Sequence, residues 1–174
     1  ELSSYDLVQP RYGELRKGTS VLIFVTEPFS ESLRVKADPG RDARDVFPAF
    51  KLNAVKDFPT GIYDYNLMTS VFVSIDPRMG RRAGAPVKTT FSAQEWCGMA
   101  FDELLFHSDR IDRKRFSYFD GEADAQEKLP HPKDAISVDE LPILVRNFPQ
   151  PFLREGESKK LSVLGSLERT RLLH

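Results

Sequence analysis

The chain has 174 residues, 40% of them hydrophobic and 29% charged, with a formal net charge of −1. That length suits one domain with a buried core, and the composition excludes a disordered chain. The even balance of charge leaves no surface positive enough to displace counterions from a nucleic acid; the densest basic runs, Arg81-Arg82 and Arg113-Lys114-Arg115, read as solvated loop charge.

Leu2 to Gln9 reads as a weak strand closed by Pro10 and Gly13. Thr19 to Glu27 (TSVLIFVTE) is almost entirely β-branched or apolar and reads as a central strand buried on both faces. Pro28 to Pro48 alternates Arg and Asp around Pro39-Gly40 and is expected to be a long mobile loop. Ala49 to Lys56 reads as a strand and Asp57 to Gly61 as a turn. Ile62 to Ile75 carries Tyr63, Tyr65, Val71, Val73 and Ile75 at period two and predicts one long strand or two with a bulge.

Asp76 to Pro86 predicts a hairpin-type loop, and Val87 to Glu95 a strand with Val87, Thr89, Phe91 and Ala93 on one side. Trp96 to Phe106 fits a strand paired with Arg115 to Asp120 across a turn at Ser108 to Lys114. One short helix is expected near Glu140 to Asn147, capped by Asp139 and stopped by Pro149 and Pro151. Leu161 to Leu164 and Leu167 to Leu173 read as two final strands. With so few helices to carry crossovers, connection must be antiparallel. The fold class is mainly β: one domain over residues 1–174, a curved sheet or partial barrel with one short helix.

Cys97 is the one cysteine, so an internal disulfide and a cysteine-based zinc site are excluded. It lies in Gln94-Glu95-Trp96-Cys97-Gly98 and is a candidate nucleophile, with Glu95 beside it and His107 or His131 as base. The competing reading, which we prefer, is a small buried residue beside a core tryptophan. Asp120, Glu122 and Asp124 alternate in DGEAD; on a strand their carboxylates face one way and would suit calcium or an acid–base pair. A solvated edge or loop is the plainer reading. Tyr63, Tyr65, Trp96 and Tyr118, with Tyr5 and Tyr12, are candidates to line a ligand cavity, although aromatic residues on strands more often form plain core. The chain carries no phosphate-cradling glycine loop, no HExxH and no GxSxG. His107, His131 and His174 have no metal-ligand spacing. No apolar run approaches the ~20 residues of a membrane helix.

Several phrases in order along the chain, QPRYGE (9–14), VLIFVTEPF (21–29), KLNAVKDFPTGIYDY (51–65), SAQEWCG (92–98) and SYFDGEAD (117–124), resemble a family of exported bacterial proteins, some carrying a septum-formation-inhibitor-related name. The resemblance implies an upstream secretion or lipoprotein signal with a possible lipid anchor, a periplasmic or outer-envelope location, and further C-terminal strands. The nucleotide-hydrolysing chemistry behind that name is not carried over, since a phosphate-binding loop is missing. The start at Glu1 and the apolar pattern of Leu167 to Leu173 add the expectation that this chain is a piece of a longer protein. The function expected is a non-enzymatic envelope module binding an apolar ligand or a protein partner. The alternative is a hydrolase using Cys97 with a histidine, or the Asp120, Glu122 and Asp124 carboxylates.

Overall fold

The computed structural model describes residues 1–78 and 80–169. Eight strands follow one another as a meander: β1 (Leu2–Arg11), β2 (Glu14–Ser30), β3 (Val46–Pro59), β4 (Asp64–Ser74), β5 (Pro86–Glu95), β6 (Gly98–Phe106), β7 (Arg110–Ser117) and β8 (Ala125–Pro130). Each pairs antiparallel with the next, in the order β1 to β8, and the sheet does not close into a barrel. Period-two patterning decides which side chains go inside. Along β5, Val87, Thr89, Phe91, Ala93 and Glu95 are buried, while the residues between them, Lys88 to Gln94, are half-buried or exposed.

The segment after β8 folds back over the inner face. It forms β9 (Ala135–Ser137), a 3-10 turn at Val138–Glu140, the short helix α1 (Leu141–Leu144), β10 (Ser162–Leu164) and a 3-10 turn at Leu167–Arg169. Ile143 packs with Phe24, Leu52, Val71 and Val73, and Leu167 with Phe58, Tyr65, Phe91 and Leu104. Each such buried large side chain contributes about 1.5–3 kcal/mol. Asp139 ties the segment down by accepting from Ser166 Oγ at 2.6 Å and from the Leu167 amide at 2.9 Å.

Several expectations need correction. β2 lies inside the sheet, but its outer face is not covered: Val21 and Ile23 are half-buried and Val25 is exposed. The stretch expected to be a loop from Pro28 is strand to Ser30 and again from Val46, because Phe29 and Phe47 are buried and pack edge to face at 5.7 Å. The remaining turn, residues 31–45, is pinned rather than loose. Asp45 accepts from Ser30 Oγ at 2.7 Å and the Ser32 amide at 2.8 Å, and it pairs with Arg41. Those bonds, Ser30 first, hold its carboxyl well below the usual carboxylate range.

β7 begins at Arg110, five residues before the expected start at Arg115, because the turn tightens to bring Ile111 opposite Phe106 in the core. The polar sequence of β8 does not announce a strand; it is an edge strand, where charged residues are favoured. Asp120, Glu122 and Asp124 lie in the turn before it, not on a strand. α1 is shorter than expected and its N-cap position, Glu140, makes no side-chain capping bond; the cap lies one turn earlier, where the Ser137 hydroxyl accepts from the Asp139 amide at 3.2 Å at the start of the 3-10 turn. β9 and β10 pair in parallel, a departure from the antiparallel rule. Of the final expected strand, Leu167–Arg169 is a 3-10 turn, and positions from 170 on lie outside the described residues.

Candidate functional site

A meander places alternate turns at the same end. The β1–β2, β3–β4, β5–β6 and β7–β8 turns therefore gather at one end of the sheet. They carry Tyr12, Tyr63, Trp96 with Cys97, and Tyr118 through Asp124. Tyr5 is exposed partway along β1. His107 falls at the other end, in the β6–β7 turn. The nine residues of β6 separate it from Cys97 by roughly 30 Å at ~3.4 Å per residue. His131 stays with it, its Nδ1 at 2.6 Å from the His107 carbonyl oxygen. The candidate pairing of Cys97 with His107 or His131 is therefore not made; His174 lies outside the described residues.

What the turns do bring together is a ladder of aromatic rings. Phe58 stacks on Tyr65 at 5.2 Å, Tyr65 meets Tyr63 at 5.6 Å, and Tyr63 stacks on Trp96 at 5.9 Å. The ladder runs from core to solvent: Tyr65 is 0% exposed and Trp96 is 81% exposed. The core-tryptophan reading of Trp96 is thus overturned, and Cys97 beside it is exposed as well. The four-residue hairpin from Glu95 to Gly98 leaves these two side chains at its tip, with no strand to cover them.

The hydroxyls form a second chain along the ladder. Arg11, on the inner face of β1, donates from Nη2 to Tyr65 Oη at 2.9 Å. The Tyr65 and Tyr12 hydroxyls are 2.8 Å apart, and those of Tyr12 and Tyr63 are 3.2 Å apart. Tyr63 Oη reaches Cys97 Sγ at 3.4 Å. The Arg11 guanidinium also sits 4.2 Å over the Tyr12 ring. Burial, then the bond with Tyr12, pushes Tyr65 up to about 12. Tyr63 is raised by its contacts with Cys97 and Tyr12, whereas Tyr12 is lowered by Tyr63 and Tyr65. A phenol held protonated in this way is a poor general base for Cys97.

Beside Tyr63 and Trp96 opens a pocket of about 480 Å³, lined also by Ile62, Asp64, Asn66, Gln94 and Glu95. Glu95 is buried at 6% exposure on the inner parity of β5, opposite Gln94, and neither of its carboxylate oxygens has a hydrogen-bond partner among the described residues. Ile62 is 81% exposed on the rim. Tyr118 stands apart from the pocket, packed over Gly98, where a Cβ would come within 2.4 Å of its ring. Gly98, at φ +154, is the residue that makes room for it.

Asp120, Glu122 and Asp124 do not converge, and among the described residues no three His, Cys, Asp or Glu side chains are grouped to hold an ion. Glu122 instead engages Ser117 Oγ at 3.4 Å. The calcium site weighed for these three carboxylates therefore has no such grouping behind it among the described residues. Sequence reasoning misses Arg11 and Asp64. A signal for Arg11 is present, because Leu7, Gln9 and Arg11 share the inward parity of β1 and are half-buried or buried. No family model matches this chain, and neither does any curated protein or solved structure.

Proposed function

We propose that this protein is a non-catalytic binding module of the cell envelope that takes an apolar ligand, or an apolar part of a protein partner, at the Tyr63–Trp96 pocket. The observation that carries the reading is Trp96: a large aromatic side chain left 81% exposed on a firm aromatic ladder, at the rim of a concavity. Exposed aromatic groups on a pre-formed support bind with little ordering cost. A hydrolase built on Cys97 finds less support, since among the described residues its sulfur is met by the Tyr63 phenol and by no histidine. The envelope location rests on the resemblance of the phrases around Gln9, Val21, Lys51 and Ser92 to exported proteins.

Native mass spectrometry of protein purified from its own host tests the reading. A retained mass that is lost in Trp96→Ala is expected. A ligand that survives Trp96→Ala unchanged would place recognition elsewhere. Fractionation of host cells tests the location; recovery with cytoplasmic markers would remove it.

A further inference from the structure

We propose that the free edge of β1 is a self-association surface, on which a second copy of this chain lays its own β1 antiparallel and joins the two sheets into one.

The backbone of β1 sets which groups that edge offers. Glu1 and Phe24 exchange both of their backbone hydrogen bonds, from the Phe24 amide to the Glu1 carbonyl at 2.9 Å and from the Glu1 amine to the Phe24 carbonyl at 3.0 Å. From that bonded pair the antiparallel ladder alternates, so Ser3, Tyr5, Leu7, Gln9 and Arg11 turn their backbone groups toward β2. Leu2, Ser4, Asp6 and Val8 turn theirs away, onto an edge with no neighbouring strand. Among the described residues, no turn or loop backbone reaches these outward amides.

The edge is also unguarded. Native edges are normally blunted by charge, proline or a bulge. The opposite edge, β8, follows that rule: it is six residues long, carries Glu127 and Lys128, and ends on Pro130. β1 pairs with β2 without a bulge from Leu2–Ile23 to Arg11–Glu14, and of its outward residues Asp6 alone is charged. Leu2 is 71% exposed and Val8 57%.

A second copy is selected because the sequence of β1 complements itself. With Tyr5 opposite Tyr5 on a two-fold axis, Leu2 meets Val8 of the second copy and Ser4 meets its Asp6, and the symmetry repeats both pairs. Apolar faces apolar, and a hydroxyl donor faces a carboxylate. The bonded pairs are then made between outward residues, so every outward amide finds a carbonyl. Pro10, which has no N–H to give, falls just past the last pair. Sliding the copies by two residues one way sets Leu2 against Asp6. Sliding them the other way sets Asp6 against Asp6 and Leu2 against Pro10. One register is therefore specified. The Tyr63–Trp96 pocket stays open in this pairing, since none of its lining residues belongs to β1.

Sedimentation velocity of the full chain from about 1 to about 300 μM tests the proposal. A species of twice the 19.8 kDa chain mass is expected to grow with concentration and to be the limiting one. Ser4→Pro removes an outward N–H that the fold does not use and should raise the dimer dissociation constant by about tenfold or more. Val8→Lys sets a charge against Leu2 and should do the same. Circular dichroism should show both variants folded, and if Ser4→Pro does not fold, Val8→Lys decides. Cross-linking reads the register in a Cys97→Ser background, because Cys97 is exposed. Tyr5→Cys should form an intermolecular disulfide under mild oxidation, the paired Cα atoms lying about 4.5 Å apart. Val8→Cys should not, since six residues of offset hold its two copies roughly 20 Å apart.

A 19.8 kDa species at every concentration would overturn the proposal. So would a mass that climbs past twice that of the chain, which marks open-ended pairing of β1 with β8. A dimer that both Ser4→Pro and Val8→Lys leave unchanged, or that cross-links through Val8→Cys and not Tyr5→Cys, would overturn it as well.

Discussion

Tyr65→Phe removes one oxygen from the centre of the hydroxyl chain and leaves the rest of the ring in place. Tyr65 Oη accepts from Arg11 Nη2 at 2.9 Å and from Nε at 3.3 Å, and it meets Tyr12 Oη at 2.8 Å. The residue is fully buried, so water does not replace these partners. A hydrogen bond to a charged group contributes about 1.5–3 kcal/mol, and a neutral one about 0.5–1.5 kcal/mol. Arg11 keeps its contact with Tyr12 at 3.3 Å, which offsets part of the loss. The Phe58 stack at 5.2 Å is retained. The net expectation is a destabilisation of about 2 kcal/mol. With an m-value of about 2 kcal/mol/M, the urea midpoint falls by about 1 M. Urea unfolding followed by far-ultraviolet circular dichroism reads this. Arg11→Met and the double variant complete a cycle whose coupling should be about 1 kcal/mol or more. A shift below about 0.5 kcal/mol with no coupling would show that the chain is a surface coincidence and does not hold the pocket's wall.

Three further outcomes are expected. Asp102 is 1% exposed and accepts from Arg113 Nε at 3.0 Å, so Asp102→Ala should destabilise by about 3 kcal/mol by leaving the Arg113 guanidinium to the exposed Glu127; a loss below about 1 kcal/mol in urea unfolding would refute this. Burial pushes the Glu140 carboxyl up to about 8 from 4.5, so the folded state keeps a proton that the unfolded chain releases between those values. Stability should then fall as pH rises from about 5 toward 8, by at most ~1.4 kcal/mol per pH unit, and Glu140→Gln should flatten that slope; identical pH profiles for the two proteins would sink the assignment. Millimolar calcium should leave the melting temperature unchanged, because Asp120, Glu122 and Asp124 do not converge; a rise that Asp120→Asn removes would contradict this.

Much of the fold is legible because its signal is local. The alternation of Val87, Thr89, Phe91 and Ala93 fixes which face of β5 is buried, and turn residues mark most of the hairpins. The expectation of a largely antiparallel sheet with one short helix agrees with the structure. What fails is decided by distant partners. Phe29 and Phe47 extend β2 and β3 into apparently polar sequence because they bury against each other and Phe72. The pairing of β9 with β10 joins Ala135 to Ser162, a contact that no local pattern announces.

The site is half legible. Tyr63, Tyr65, Glu95, Trp96 and Cys97 stand out by residue type, and the meander collects them at one end. Parity of turns also explains why His107 is excluded, a deduction available once the strand order is known. The exposure of Trp96 is not announced by the sequence, because an aromatic residue next to a strand more often turns inward.

Hydrogen–deuterium exchange of protein with and without its retained or added ligand tests the central claim most directly. The account predicts added protection confined to the segments around Tyr12, to residues 60–66 and to residues 94–98, the walls of the Tyr63–Trp96 pocket and its support. Protection instead at the groove of Arg82, Phe148 and Phe152, with the Trp96 hairpin unchanged, would contradict it.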